Sequence, residues 1–294
     1  MKTNKRTKDL LILTGIYLLA YAVGIAACSC FENLIVKCFI FDAAATVVTF
    51  IFSCIFVNSS VYDAYWSLTP MLMSLCLFIG NRAFSAYQIL FLIIFNLWSA
   101  RLTGNWLSVF TGFDYEDWRY RKYRNETPKL LWPLVNFFGI HFVPTLVVFL
   151  GMLPLFVIIR LPLGPGSFFG MLVLLFGIAL EYFSDRQMHA FLKDAEEGTV
   201  CKVGLWRYSR HPNYLGEISV WLGVFLVMLP YAWNYWYYGI GFLAVAVMFL
   251  TISIPLMEHR QSSRRPAYAE YCRETSCLLL LPVHKEEAAK MGNL

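Results

Sequence analysis

Eight apolar runs, separated by polar or charged stretches, set the pattern of this 294-residue chain. They cover roughly residues 10–27, 35–57, 65–79, 84–109, 134–159, 168–183, 218–235 and 239–257. A helix needs about 20 mainly apolar residues to cross the hydrocarbon core of a bilayer, and most of the runs reach or approach that length. The third and sixth are short and are expected to tilt or to insert only partly. The chain opens Met1-Lys-Thr-Asn-Lys-Arg-Thr-Lys before the first run, which resembles a signal peptide. It lacks a clear small-residue cleavage site, however, and seven more runs follow, so the first run reads as a retained span. There is no fixed-period repeat and no low-complexity linker. The expected fold is therefore all-α, a polytopic transmembrane bundle of about eight spans (seven to nine), with residues 1–294 forming a single membrane domain.

Composition supports this pattern. Hydrophobic residues make up 59% of the chain and charged residues 15%, against about 25% charged in an ordinary soluble domain. That excludes a disordered chain or a basic nucleic-acid-binding domain. It also leaves too little polar surface to cover a water-soluble globule. The eight cysteines have no zinc-type spacing and no Cys-x-x-Cys, and read as small apolar residues. Charge is more informative in its distribution than in its sum of +5. An eight-span reading puts 20 of the 24 Lys and Arg on the side that carries both termini. Only Lys37, Arg82 and Arg160 fall opposite, and Arg101 lies inside the fourth run. By the positive-inside rule both termini are cytoplasmic.

Three segments on that side, 112–132, 184–216 and 258–282, are long, aromatic and mixed in charge. Lipid attraction would account for their Arg and Lys, but not for the carboxylates, Asn and His among them. They read as the walls of a site for a charged, water-soluble ligand. The densest stretch is Gly204-Leu-Trp-Arg-Tyr-Ser-Arg-His-Pro-Asn-Tyr-Leu-Gly-Glu217. Arg207, Arg210 and His211 offer donors to phosphate or carboxylate groups, Pro212 separates two elements, and Glu217 is expected at the head of the next helix.

Arg-His-Pro-x-Tyr-x-Gly resembles the motif of a superfamily of membrane enzymes. It includes steroid 5-alpha-reductases, sterol C14-reductases and isoprenylcysteine carboxyl methyltransferases. The longer form from Leu205 to Ile218 is most similar to a bacterial branch of steroid 5-alpha-reductase-like proteins that mostly lack an assigned substrate. Tyr62-Asp-Ala-Tyr-Trp-Ser67, Arg101-Leu-Thr-Gly-Asn-Trp106, Gly112-Phe-Asp-Tyr-Glu-Asp-Trp-Arg-Tyr120, and Met257-Glu-His-Arg through Tyr271 fit the same branch. The resemblance covers roughly residues 60–282. It implies NADPH bound from the cytoplasmic side and reduction of a carbon–carbon double bond conjugated to a ketone in a lipid, steroid or sterol-like. It further implies that Asn213 and Glu217, Ser184 and Asp185, and the His259-Arg260 pair line the nucleotide. Arg101, Asn105, Arg207, Tyr208, Arg210, His211, Tyr214 and Tyr271 complete the expected cofactor set. Glu181 departs from the family, which has Asn there, and a carboxylate is unfavourable beside phosphates.

Several residues carry alternatives. Glu181, Asp185 and His189 share one helical face at i, i+4 and i+8, as a polar site or as groups just outside the bilayer. A metal is not expected there, because no second His or Cys cluster stands in register. Arg101 either contacts the cofactor or pairs with Asp42, Asp63 or Glu181. The steroid-reducing relatives use a Gln-Glu pair with a Tyr as the acid, and this chain has no Gln-Glu pair. Asp63, flanked by Tyr62 and Tyr65, is the nearest substitute, or else the N-cap of the third helix.

The leading expectation is an NADPH-dependent ene-reductase, a monomer in the membrane that takes a lipid-like substrate from the bilayer and binds no nucleic acid. By the resemblance it resides in a bacterial inner membrane with its cofactor side toward the cytoplasm. The alternatives are an S-adenosylmethionine-dependent methyltransferase of the isoprenylcysteine type, and a non-catalytic lipid binder or transporter. The topology has a direct test. Reporter fusions at the two termini should both report the cytoplasm; reporters on opposite sides would mean that one of the short runs, 65–79 or 168–183, does not cross.

Overall fold

The computed structural model describes residues 2–80 and 84–283. Arg82, Lys285 and Lys290 of the charge count lie outside the described residues. The chain is helical, without a strand among the described residues. Among the described residues, six helices are long and apolar enough to cross a membrane: Lys5–Cys28, Leu34–Ile55, Ala86–Val109, Trp132–Ile158, Pro165–Asp194 and Trp233–Arg264. Pro212–Met228 is apolar but shorter, and the helix of the third run has 15 residues, below the length a perpendicular crossing needs.

The chain divides into two compact units, one made of Met1–Pro165 with Tyr231–Gly241, the other of Gly166–Pro230 with the chain from Phe242 on. The first unit begins with α1 (Lys2–Cys28) and α2 (Leu34–Ile55). Asn33 caps α2 by accepting from the Ile35 and Val36 amides. A 3₁₀ turn, Ser59–Tyr62, capped by Asn58, leads to α3 (Tyr65–Ile79). Next come α4 (Ala86–Val109), closed by a capping box of Ser85 and Gln88, and the short polar α5 (Trp118–Glu126), capped by Asp117. The Trp132–Ile158 helix is built from α6 (Trp132–Leu134), a π-helical stretch Val135–Phe142, α7 (Val143–Met152) and α8 (Leu155–Ile158). A tyrosine-rich core sits between α1, α2 and α3. Tyr17, Tyr62 and Tyr65 are buried there with Ala20, Ala45 and Val48, and the Tyr17 hydroxyl donates to the Val61 carbonyl at 2.7 Å.

The second unit is organised by α9 (Phe168–Asp194) and α10 (Pro212–Met228). They run antiparallel with backbones almost in contact. A Cβ on Gly170 would meet the Val227 amide at 2.3 Å, and one on Gly223 would meet the Leu174 amide at 2.5 Å. Gly177 and Gly216 oppose each other in the same way, the Gly177 Cβ falling 2.6 Å from the Gly216 carbonyl. The two glycines of each helix are seven residues apart, two helical turns, so they form one seam. Such small-residue seams let membrane helices approach closely without a hydrophobic driving force. Beyond α10 come a 3₁₀ segment Trp233–Gly239, which belongs to the first unit, and then α11 (Ile240–Met248), a π turn Phe249–Ser253, α12 (Ile254–Arg264) and α13 (Tyr268–Glu274).

Two expected boundaries move. The sixth run is not a short helix, because residues 184–194 contain no Pro or Gly and α9 continues through them to Asp194. The seventh helix starts at Pro212 rather than near 218 and stops at Met228, two residues before Pro230. Glu217 therefore lies in the second turn of α10, not at its head.

The glycine seam is testable by thermal unfolding in detergent. Gly177→Leu and Gly223→Leu should each destabilise by about 1–3 kcal/mol or more, the usual cost of overpacking. Gly15→Leu, whose added Cβ meets nothing within 4 Å, should be near neutral. Equal melting temperatures for all three would show that the seam does not hold the pair together.

Candidate functional site

The site of the second unit grows out of the turn between α9 and α10. Gly204 adopts φ +56°, and a Cβ there would run into the Gln187 side chain, which accepts the Leu205 amide at 2.8 Å. The Trp206 indole donates to the Ser184 carbonyl at 3.0 Å. These bonds tie the turn to the last turns of α9 and hand the chain to the Arg210-His211-Pro212 entry of α10.

That entry is clamped by the C-terminal segment. The Arg210 amide donates to the Ser276 carbonyl at 2.9 Å, and the Ser209 hydroxyl to the Leu278 carbonyl at 2.8 Å. Arg210 donates through Nε to Glu258 Oε1 at 2.7 Å and through Nη1 to the Cys272 carbonyl at 3.0 Å. His211 Nε2 approaches the same Glu258 oxygen at 3.2 Å. The His211 ring stacks on Tyr214, and Tyr214 on Phe249, at centroid distances of 5.3 and 4.5 Å. Burial would lower the Arg210 pKa, but the hydrogen bond and charge of Glu258 outweigh it and hold the guanidinium protonated more firmly than usual.

Beside this clamp lies a partly open cavity of about 290 Å³. Of the sequence-predicted residues, Asp185, Arg210, His211, Asn213, Tyr214 and Tyr271 line it, with His189. Asp185 and His189 come from successive turns of α9, as the i, i+4 spacing requires. The rest of the wall includes Met188, Trp206, Met257, Gln261, Arg265 and Tyr268, which the sequence reading did not single out. Arg265 and Gln261 are four apart at the end of α12, a spacing that a search for a polar helix face would find. Burial pushes the phenols of Tyr268 and Tyr271 well above their ordinary pKa, so both stand as neutral groups.

Other expected cofactor residues are placed elsewhere. Ser184 is buried and turns its hydroxyl back onto the Leu180 and Glu181 carbonyls of its own helix. Glu217 is buried one turn beyond Asn213, where its carboxylate accepts the Trp221 indole at 2.9 Å. Arg207, Tyr208 and His259 are exposed, and Arg260 is half-buried, all outside the cavity lining. Glu181 is buried, and its side chain lies over Gly216. As for metals, His211, Glu258 and Cys277 bring one ligand atom each within 4.8 Å of one another. The Glu258 oxygen there already accepts from Arg210, whose cationic guanidinium occupies the place of an ion.

In the first unit, Arg101 and Asn105 lie half-buried on α4. Asp42 is buried and accepts the Tyr65 hydroxyl at 2.7 Å. Tyr62 is buried and its hydroxyl meets Thr145 at 2.7 Å. Asp63 does not cap α3: the N-cap position is Ala64, with no side-chain bond, and Asp63 closes the preceding 3₁₀ turn instead. Its carboxylate accepts the Tyr120 hydroxyl at 2.7 Å, tying the mouth of α3 to α5. Burial raises the Asp63 pKa to about 6, against the lowering effect of Arg119 and Tyr120 and with a further rise from Asp117.

A raised carboxyl pKa stabilises the fold only while the group is neutral. The contribution of Asp63 is present below about pH 4 and lost as pH rises through about 6. Asn cannot ionise but still accepts from Tyr120. Relative to wild type, Asp63→Asn should therefore gain about 1–3 kcal/mol between pH 4 and pH 7, read as the difference in melting temperature. A difference that does not change with pH would mean that Asp63 stays solvated.

A fission-yeast protein, the Uncharacterized protein C594.04c of Schizosaccharomyces pombe, is 29% identical over 197 residues, taking in 58% of this chain and 57% of that protein. The chain thus spans little more than half the length of that curated relative. No solved structure matches. Residues 49–275 match a single family across both units, and the chain belongs to that family, described as Protein of unknown function (DUF1295).

Proposed function

We propose that the protein is a membrane-embedded, NADPH-dependent reductase of a carbon–carbon double bond conjugated to a ketone in a steroid- or sterol-like lipid. The observation that carries this reading is the cavity at the start of α10. Asn213 and Tyr214 in the first turn of that helix form part of its wall, with Arg210 and Arg265 beside them. A helix N-terminus favours an anion through its dipole, and the Arg265 guanidinium adds charge-assisted donors. Trp206 and Tyr268 supply aromatic side chains to the same wall. The donor set fits a phosphorylated nucleotide.

When bound, NADPH would supply hydride to the carbon β to the ketone. The chain's own residues have three tasks. Arg265, Asn213 and Gln261 bind and orient the nucleotide. Arg210 is largely engaged by Glu258, so its task is to hold the entry of α10 in shape. Asp63, Tyr62 and Tyr65 are the sequence-derived candidates for the acid. A hydroxyl or neutral carboxyl at the ketone oxygen stabilises the developing enolate. The substrate enters from the bilayer, and the cofactor face is cytoplasmic by the distribution of Lys and Arg.

A second reading has its own observation. At about 290 Å³ the cavity is at the small end of the roughly 300–1,000 Å³ of ligand sites. That size favours a compact nucleoside such as S-adenosylmethionine over a whole dinucleotide, and with it a methyltransferase.

The two are separated by thermal unfolding of the purified protein with each nucleotide. NADPH at about 100 times its Kd should stabilise by roughly 2.7 kcal/mol, and S-adenosylmethionine should have no effect. Asn213→Ala should weaken the response about 5- to 10-fold in Kd, one hydrogen bond's worth, whereas Asp63→Asn should leave it intact. Stabilisation by S-adenosylmethionine alone would replace the reductase with the methyltransferase.

A further inference from the structure

The segment 112–132 reads in the sequence as one wall of a ligand site, because carboxylates are mixed among its basic residues. In the structure each of those carboxylates is engaged within the first unit. Asp114 pairs with Lys5. Glu116 pairs with Arg124 and accepts the Ser59 amide at 2.7 Å. Asp117 pairs with Arg119 at 2.9 Å, and Glu126 faces Lys122, one turn earlier, at 3.9 Å. The segment holds five Lys and Arg, and these pairs use three of them. Arg121 and Lys129 remain, both exposed and with no carboxylate opposite them among the described residues. Arg121 lies instead over the exposed ring of Tyr115, 5.8 Å from its centroid.

Apolar side chains follow these two cations. α5 ends at Glu126, and the Leu131 and Trp132 amides both donate to the Pro128 carbonyl, at 2.9 and 3.0 Å. That closes a turn with Lys129 and Leu130 at its tip. Leu130 is 89% exposed, and Leu131 and Leu134 are 49% and 55% exposed. Leucines this open are costly in water. The turn leads directly into Trp132–Ile158, a helix long and apolar enough to cross a bilayer, so they stand where the apolar layer begins. The position is held from two sides. Arg124 lies over the Trp132 ring at 5.2 Å, and the Tyr120 hydroxyl bonds Asp63 at the mouth of α3.

We propose that α5 and the turn after it form a docking surface for anionic phospholipid, with Arg121 and Lys129 on the headgroup phosphates and Leu130 and Leu131 among the acyl chains. Charge chooses the occupant. A second copy of the chain would cover the leucines, but it would bring two uncompensated cations against two more. An anionic leaflet supplies an apolar layer and negative phosphates at its edge together. Each basic residue near such a leaflet raises the affinity about fivefold. The carboxylates of the segment do not oppose this, because each is neutralised by its own Arg or Lys. The surface needs neither cofactor nor substrate, and it is independent of the reductase reading.

The test is photocrosslinking of the purified full-length protein in bilayer nanodiscs. The probes are phosphatidylglycerol and phosphatidylcholine that carry the same diazirine near the headgroup, with labelled peptides read by mass spectrometry. Labelling across residues 118–134 should favour phosphatidylglycerol by about 25-fold, about fivefold for each of the two cations. Salt at about 1 M should shrink that preference. Arg121→Gln and Lys129→Gln should each lower it about fivefold, and the double variant should abolish it. Leu130→Ser should reduce labelling by both lipids alike. All three side chains are exposed, and melting temperatures confirm that each variant folds. Equal labelling by the two lipids in the wild type would overturn the proposal, as would a preference that survives in the double variant. Added inorganic phosphate should not compete. If it abolished the preference, the cations would form a site for a soluble anion instead. Crosslinks between two copies, with no lipid attached to the segment, would assign the face to a second copy and overturn the proposal as well.

Discussion

The second unit depends on backbone-to-backbone contact between α9 and α10. Gly170, Gly177, Gly216 and Gly223 bring the two helices closer than any side chain would allow. That approach places the polar end of α9, with Asp185 and His189, beside the first turn of α10, with Asn213 and Tyr214. A methyl group at any seam position pushes against the opposing main chain, which cannot move aside as a flexible side chain can. The shape of the cavity is therefore set in part by residues that do not line it.

The same economy governs the Arg-His-Pro entry. Its two basic side chains would be expected to reach a ligand, yet both face Glu258. Arg210 also satisfies carbonyls of the C-terminal segment, which would otherwise end without partners at the end of α13. Truncating Glu258 would leave a guanidinium and an imidazole without their anion, a costlier change than removing the whole group. Arg265 and Asn213 are among the residues that line the cavity beside this clamp.

In the first unit, hydrogen bonding between helices adds to apolar packing. Tyr17, Tyr62, Tyr65 and Tyr120 each present a ring to neighbours and a hydroxyl to a named acceptor. A buried phenol without a partner would be expensive in hydrocarbon, so the network constrains α1, α2, α3 and α7 to one arrangement. Asp42 and Asp63 are each taken by a tyrosine, and neither caps α3.

The order of apolar runs by itself determined that the chain is a helical membrane protein, because length and apolarity alone decide whether a helix can cross a bilayer. Residue spacing alone also put Asp185 with His189 on one face, and the density of the stretch from Arg207 to Glu217 marked the cavity. Only the tertiary structure decided what each polar group faces. Ser184 and Glu217 turn to partners in their own helices, and Asp63 meets a tyrosine 57 residues away in sequence. Thr46 and Tyr62 both meet Thr145 of α7 with no local pattern to announce it. Hydropathy is a property of a segment, but a hydrogen bond between distant residues exists only once packing has brought its two ends together.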